Sequence, residues 1–502
     1  MQKQSAKELK LNIIIGVLNQ ILSLLINLIS KNVIRTSLNL DYLGLQTVFG
    51  NFCDILFFAF PGIGIALMFS LYRPFAEQDE ARIRSIYRFY DKLYRRLCLL
   101  VLAVGAVATA LVLVVVNAKI ENLEIVYTYL TYLLSIIVYN RFLMQHYFII
   151  ASQKRYIVCL IIGLVDSAAL LAEVLVLRST QQYELFLLCI LAKNMCISSL
   201  VVLYLKKKHS YLFVREKTPE PEDKRLILRN VRDLSVYRIG NVLLNNMDSI
   251  FISLLINTVM SGCYSNYVFI SNGVYSLISS FFESIIAKVG QTLAVRSREE
   301  QFRDFWKVSL IGLWICGFCV TCFVLLVQDF IVLWMGPDVQ LGMLIVGLIA
   351  LNLYLVAMRQ TTATYRQSAG IFQKVGGVVL VRGLVNLALS LLLGWLWKLP
   401  GILIATSLAN LATLYWYEPY LMYRYFQKPL RYEVLYQGMG VLGTGTCLLL
   451  TYLLVSPMDG SGWGGFLLKA AVCIAVSNLC YLVFWLVWRA IRKAKSVPEA
   501  AN

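Results

Sequence analysis

The sequence is poor in charged residues and in histidine. Asp, Glu, Lys and Arg make up 15% of its 502 residues, and there are 2 histidines. Soluble globular domains carry about 25% charged residues, so this composition excludes an ordinary soluble domain. His146 and His209 have no acidic cluster beside them, which argues against a metal centre or a histidine-based catalytic site. We predict no metal, no cofactor and no enzymatic activity.

The 12 cysteines show no disulfide framework, because they are spread along the chain and lie mostly in apolar stretches. Cys316, Cys319 and Cys322 are spaced three apart in one such stretch. A metal site would need partners that the sequence lacks, so core packing is the preferred interpretation.

Apolar residues dominate instead. They make up 59% of the chain, and the mean hydropathy is +0.70. Stretches long enough to cross about 30 Å of hydrocarbon recur throughout, so helices rather than barrel strands are the spanning elements. We predict an all-α polytopic membrane protein with about 14 transmembrane helices. The first stretch is longer than the core of a signal peptide and lacks a small-residue cleavage pattern, so we predict that it is a retained span.

The net charge of +18 has an uneven distribution. Most Lys and Arg lie in alternate loops, the set that includes the N-terminal segment. The positive-inside rule then places both termini in the cytoplasm. The basic charge follows the membrane topology, which argues against a nucleic-acid partner.

Polar side chains follow one face of the first span. They recur at steps of three and four residues: Asn12, Gly16, Asn19, Ser23, Asn27 and Lys31. One interpretation is tight helix packing through small residues, and the other is the wall of a water-filled cavity. Three amides on one side favour the cavity.

The second predicted span, residues 44 to 71, combines a charge with helix-breaking residues. Asp54 lies near its middle, and Pro61 follows with Gly62 and Gly64. We predict that the helix bends or breaks there. The stretch 73 to 97 has the pattern of an amphipathic helix, and we predict that it lies on the anionic inner leaflet.

Charges also occur inside later spans. Asp166 and Lys193 fall at similar depth on consecutive antiparallel spans, so they predict either a structural ion pair or a substrate role. Arg382 needs a partner or water, because an arginine in mid-membrane costs about 3 kcal/mol. A charged, proline-interrupted stretch at 206–238 predicts a cytoplasmic linker between two lobes.

Two polar stripes follow this linker. The first contains Asn241, Asn245 and Asp248 on one predicted helix. The second occupies the next helix at steps of three and four: Tyr264, Tyr267, Ser271, Tyr275, Ser279 and Glu283. Both predict a wet face on an otherwise apolar helix.

Several short motifs in order along the chain resemble one transporter family. They are Asp41-Tyr42-Leu43-Gly44-Leu45, Pro61-Gly62-Ile63-Gly64, Ser70-Leu71-Tyr72-Arg73-Pro74, the Gly262 to Tyr267 turn, Leu333-Trp334-Met335-Gly336, the run from Tyr365 to Phe372, Asn386-Leu387 with Ser390, and Pro400-Gly401-Ile402. The chain is similar to polysaccharide transporters of Gram-positive bacteria. These are O-antigen-type flippases of the multidrug/oligosaccharidyl-lipid/polysaccharide exporter (MOP) superfamily.

The resemblance implies two pseudo-symmetric six-helix lobes and two further helices. The expected domains are an N-terminal lobe at 1–205, the basic linker at 206–238, a C-terminal lobe at 239–420, and the last two spans with a cytoplasmic tail at 421–502. It also implies a location in the bacterial cytoplasmic membrane and export of an undecaprenyl-diphosphate-linked oligosaccharide by alternating access. Anionic lipids, a polysaccharide polymerase and glycosyltransferases are the expected partners.

Side-chain chemistry then assigns candidate roles. For the diphosphate we predict Lys31, Arg35, Arg141 and Arg382; for sugar, Asn19, Asn245, Tyr264 and Tyr267; for coupling or gating, Asp248, Asp54, Asp166 and Lys193. Snorkelling at a span end is an equal alternative for Lys31 and Arg35. Asp248 is predicted to pair with Arg382 in one conformation. Arg382 stands where the family pattern has an acid, so the coupling cation, H+ or Na+, is left open.

Two other functions fit parts of the pattern. A drug exporter of the same superfamily would share the fold but would line its cavity with acidic groups. A membrane glycosyltransferase or polysaccharide polymerase would need a catalytic region, against which the short outer loops and the missing acid or histidine cluster argue.

Overall fold

The structure is a computed structural model that describes residues 2–214, 242, 246–371 and 375–496. Nearly all of these residues are helical, and the described ranges contain no β-strand. The helices of the first half are α1 (Gln2–Ser37), α2 (Leu40–Leu56), α3 (Ala59–Glu77), α4 (Glu80–Val115), α5 (Asn122–Arg141), α6 (Leu143–Ala151), α7 (Arg155–Thr180), α8 (Tyr183–Lys208) and α9 (Asn246–Leu255). Those of the second half are α10 (Thr258–Val295), α11 (Arg298–Met335), α12 (Met343–Met358), α13 (Gln360–Ser368), α14 (Gly376–Ala412), α15 (Leu414–Phe426), α16 (Arg431–Val455) and α17 (Gly462–Ser496). The predicted all-α membrane fold is confirmed.

Within the described residues, 12 helical segments are long and apolar enough to cross a membrane. One of them, Gly376–Phe426, has 51 residues, enough for two crossings. Its backbone leaves the helical region at Lys398, where φ is 56° and ψ is −133°, and Pro400 follows. The predicted helix that contains Asn241, Asn245 and Asp248 is only partly described. The count of about 14 spans therefore stays a prediction.

The chain divides into two compact units, Met1–Gly262 and Cys263–Asn502, with the boundary inside α10. The predicted linker lies mostly outside the described residues, which end at 214 and resume, apart from 242, at 246. The predicted domain boundaries stay predictions.

The predicted break in the second span is confirmed. Helix α2 ends at Leu56 and α3 begins at Ala59. Pro61 is therefore in the first turn of α3, where proline is tolerated because its missing N–H would have no helical partner.

The prediction that the stretch 73 to 97 lies on the membrane surface is wrong, because its apolar residues pack against other helices. Residues 80 to 97 form the first half of the long helix α4, which continues without interruption to Val115. Ile83, Ile86 and Tyr90 on its apolar face are buried within the protein. Helix α4 packs against α3 and α5, and Tyr94 donates a hydrogen bond to the carbonyl of Phe60 at 2.9 Å. Periodicity shows an apolar face but does not distinguish protein from lipid as its cover.

In the second unit, α11 contacts α12, α13, α15, α16 and α17. Its N-terminus is fixed by a capping box in which Ser297 and Glu300 satisfy each other's backbone N–H groups. A cluster of large side chains gathers around the start of this helix: Val289, Phe305, Tyr365, Met422, Tyr423 and Phe426. This core fixes the ends of four helices around one point.

Candidate functional site

Lys193 is paired with two acids inside the first unit. Its Nζ lies 3.9 Å from Oδ1 of Asp166 and 3.5 Å from Oε1 of Glu173. Asp166 and Lys193 therefore form an ion pair in the structure, one of the two predicted roles. Glu173, which is buried, is a second acidic partner of Lys193. A charged group in an apolar environment needs such partners, so all three side chains depend on one another.

Arg141 is the last residue of α5 and is held by α4. Its Nη2 lies 2.7 Å from Oδ1 of Asp91, whose other oxygen accepts a hydrogen bond from Arg95 at 2.6 Å. Asp91 was not predicted from the sequence, because its partner lies on another helix and 50 residues away. Asp91 positions the guanidinium of Arg141.

Helix α1 turns part of its polar stripe toward α7. The amide of Asn12 donates to the carbonyl of Gln153 at 2.7 Å and accepts from the backbone N–H of Tyr156 at 2.8 Å. Asn19 lies against Gly163, where an added Cβ would come within 2.8 Å of the Asn19 oxygen. These two residues follow the packing interpretation of the stripe.

Tyr264 and Tyr267 are both buried on α10. The hydroxyl of Tyr267 donates to Oε1 of Gln328 at 2.6 Å and accepts from the backbone N–H of Leu341 at 3.0 Å. This hydroxyl links α10 to the end of α11 and to the segment before α12. The predicted contact of both tyrosines with sugar stays a prediction.

Arg382 lies on α14 and is 8% exposed. Its Nη1 donates to the side-chain oxygen of Asn410 at 2.9 Å. One turn further along α14, Asn386 accepts hydrogen bonds from Ser390 at 3.0 Å and from Thr406 at 3.2 Å. These hydrogen bonds form a polar layer between the two halves of the broken helix.

The remaining predicted residues are placed separately. Lys31 and Arg35 are half-buried near the end of α1, Asp54 is exposed on α2, and Asp248 is buried on α9. Asn245 lies outside the described residues. Among the described candidate residues, Asp166 and Lys193 are in contact with each other.

The second unit contains a buried charge cluster that was not predicted from the sequence. Glu418 of α15 lies 3.0 Å from Nε of Arg359 and 3.2 Å from Nε of Arg366. Arg359 occupies the break between α12 and α13. The only sequence signal was a single acid within the aromatic run of α15.

The second unit also has apolar cavities beside its last two helices. A cavity of about 550 Å³ lies between α11 and α17 and contains Lys307, Trp314 and Asn478, and one of about 420 Å³ lies between α16 and α17. A third, of about 410 Å³, contains the ion pair of Lys469 with Asp329 at 2.6 Å. Each has the mostly apolar lining that suits a hydrocarbon chain.

No protein-family model and no curated protein sequence matches this chain. Solved structures do match. The lipid II flippase MurJ in an inward closed conformation superposes with a TM-score of 0.69 at 12% identity, covering 95% of this chain and 99% of that chain. An inward-facing multidrug resistance MATE family transporter of the MOP superfamily gives 0.60 at 13% identity, covering 77% of this chain and 92% of that one. A MOP superfamily transporter from Pyrococcus furiosus gives 0.53 at 15% identity, covering 82% and 93%. These likenesses show the fold, which is the two-lobed fold that the sequence resemblance implies.

Proposed function

We propose that this chain is a flippase that moves an undecaprenyl-diphosphate-linked oligosaccharide repeat unit across the bacterial cytoplasmic membrane for cell-surface polysaccharide synthesis. The mechanism is alternating access, with both termini in the cytoplasm. No covalent chemistry is required of the protein.

The extent of the fold match carries the proposal. The neighbour named as a lipid II flippase covers 95% of this chain, whereas the multidrug transporter covers 77% and the transporter from Pyrococcus furiosus covers 82%. More of this chain therefore superposes on the flippase structure than on these two transporter structures. Together with the motif resemblance, this supports a lipid-linked substrate.

The sugar and diphosphate need protein groups in place of water, because desolvating them in hydrocarbon is too costly. The proposed diphosphate contacts are the four basic residues Lys31, Arg35, Arg141 and Arg382. Arg141 is already held by Asp91 on one side, so one edge of its guanidinium is positioned while the rest can serve an anion. Asn19, Asn245, Tyr264 and Tyr267 are the proposed sugar contacts.

The prenyl chain needs only an apolar surface. The two cavities along α17 supply one, because they have volumes of about 550 and 420 Å³ and are lined mainly by apolar side chains. We place the chain in these cavities or in the adjacent bilayer while the polar head crosses. Anionic lipids, a polymerase and glycosyltransferases are the proposed partners, and H+ or Na+ the proposed coupling ion.

Removing the proposed diphosphate contacts should slow flipping. The measurement is transfer of a fluorescent undecaprenyl-diphosphate oligosaccharide between leaflets in proteoliposomes. We expect Arg141→Gln to lower the rate about tenfold or more, because a charge-assisted hydrogen bond is worth about 1.5–3 kcal/mol. Lys31→Gln, Arg35→Gln and Arg382→Gln are the companion variants.

Arg424→Gln is the matched control, since Arg424 is an exposed cation on α15, and it should flip at the wild-type rate. Wild-type flipping in all four test variants would contradict the diphosphate role. Transport of a cationic drug, with no transfer of the lipid-linked sugar, would instead favour the multidrug exporter that the MATE likeness suggests.

The proposed gating pair of Asp248 and Arg382 is tested by charge exchange. Asp248→Arg and Arg382→Asp should each lower flipping, because each leaves two like charges at the proposed pair. We expect the double variant to recover part of the lost rate in the same assay. If the double variant is no faster than either single one, the pairing is wrong.

A further inference from the structure

The break between α12 and α13 places an arginine beside a buried carboxylate. Arg359 is the residue between the two helices, and its Nε lies 3.0 Å from Oε2 of Glu418. Arg366, two turns further along, approaches the other oxygen of Glu418 at 3.2 Å, and its Nη1 donates to the carbonyl of Ile371 at 3.0 Å. One carboxylate thus serves two arginines.

This cluster carries one positive charge in excess within a buried setting. The side chains of Arg359, Arg366 and Glu418 are 12%, 6% and 3% exposed. Buried charges are normally balanced by a partner of opposite sign. Glu433 is the other buried acid nearby in sequence, but its Oε1 accepts from Gln437 at 2.6 Å and it forms no ion pair among the described residues.

Two guanidinium nitrogens of the cluster also lack a hydrogen-bond partner among the described residues, and one of them, Nε of Arg366, still lies within ion-pair distance of Glu418. Nη1 of Arg359 is buried and has no hydrogen-bond partner in the described part of the chain. Leaving a buried donor unsatisfied is destabilising, and more so when the group is charged. An excess positive charge and an unused guanidinium donor at the same place have the chemistry of an anion site.

An arginine also lies at a helix break in the first unit. Arg141 is the last residue of α5, just before α6, and Arg359 lies between α12 and α13. Arg141 is paired with Asp91, which also holds Arg95, and its own Nη1 is buried without a partner among the described residues. A tyrosine stands six residues after each arginine, at 147 and 365. Each of these two breaks thus holds an arginine on a carboxylate of another helix.

The residue that follows Arg359 contacts the polar stripe of α10. Gln360, next to Arg359, donates to the hydroxyl of Ser279 at 3.2 Å and accepts from the hydroxyl of Tyr275 at 3.4 Å. Both contacts belong to the stripe that the sequence identified as wet. The arginine is therefore within one residue of a polar helix face.

We propose that Arg359, positioned by Glu418 and supported by Arg366, is a second anion-binding site that takes a phosphate or diphosphate group. Arg359 supplies the guanidinium edge that Glu418 leaves unused, and the anion balances the excess charge of the cluster. As a binding site for the diphosphate of a lipid-linked sugar, it rests on the proposed function, but phosphate binding itself is measurable without transport.

The test uses the full-length protein in nanodiscs of a neutral phosphatidylcholine. Two probes are compared, inorganic pyrophosphate by calorimetry and undecaprenyl phosphate by native mass spectrometry. We expect at least one probe to bind the wild type and the Arg424→Gln control equally, and to bind Arg359→Gln about tenfold or more weakly. Binding of the lipid probe alone assigns a lipid-borne phosphate, and binding of pyrophosphate alone assigns a soluble one.

Arg359→Lys keeps the charge beside Glu418 but lacks the second guanidinium edge. It should also bind more weakly than wild type, and it decides the question if Arg359→Gln does not fold. Wild-type affinity in the variant that folds, or no binding of either probe to the wild type, would overturn the site. Phosphate binding that depends on Arg359 in a protein that flips no lipid-linked sugar would keep the site and reject the proposed function.

Discussion

Replacing Gly44 with alanine should destabilise the first unit by about 3 kcal/mol, the upper end of the usual cost of overpacking. Helices α2 and α10 meet at Gly44, where an added Cβ would overlap the backbone carbonyl of Thr258. Seen from the other helix, a Cβ on Gly262 would lie 2.7 Å from the backbone nitrogen of Gly44 and 2.9 Å from its Cα. No side-chain rotation relieves a clash with backbone atoms.

The measurement is the free energy of unfolding of purified protein in detergent, from a denaturant titration followed by tryptophan fluorescence. Gly50→Ala on the same helix is the matched control, because the nearest atom to its Cβ would be the Tyr132 hydroxyl at 3.6 Å. It should be neutral or more stable by up to about 1 kcal/mol, since alanine favours helix over glycine. Equal stability of the two variants would show that the helices separate at no cost.

Glu418→Gln should produce an effect of similar or larger size. The substitution keeps the shape of the side chain but removes the only carboxylate that lies within ion-pair distance of Arg359 and Arg366 in the described residues. Two buried guanidinium groups then face each other without a counter-charge. Breaking a buried pair in this way costs about 3–5 kcal/mol.

The same unfolding titration measures this loss. Glu299→Gln provides the comparison, because Glu299 is 87% exposed and its ion pair with Lys428 is 3.6 Å long. An exposed pair contributes little, so this variant should unfold at the wild-type denaturant concentration. If Glu418→Gln also unfolded at the wild-type denaturant concentration, the cluster would have no net stabilising role, and its charges would be compensated elsewhere.

Much of the fold followed from the sequence, because a bilayer imposes simple rules. Long apolar stretches must become helices, since hydrocarbon offers no partners to an exposed backbone. The break before Pro61 and the kink before Pro400 were also predictable, because proline lacks the N–H that a helix interior needs. Asp166 and Lys193 were recognised as an ion-pair candidate because depth on adjacent spans is itself a sequence property.

The partners of the other charges were decided by the tertiary structure. Arg141 meets Asp91, and Arg359 meets Glu418, across helices whose order in space the sequence does not specify. The apolar residues of α4 have the spacing expected of a helix that lies on a membrane surface, but in the structure they are buried within the protein. Local pattern determines which element forms and where it breaks, because those depend on nearby backbone and on the solvent. Which faces and charges meet depends on packing between distant segments, and only the folded chain fixes it.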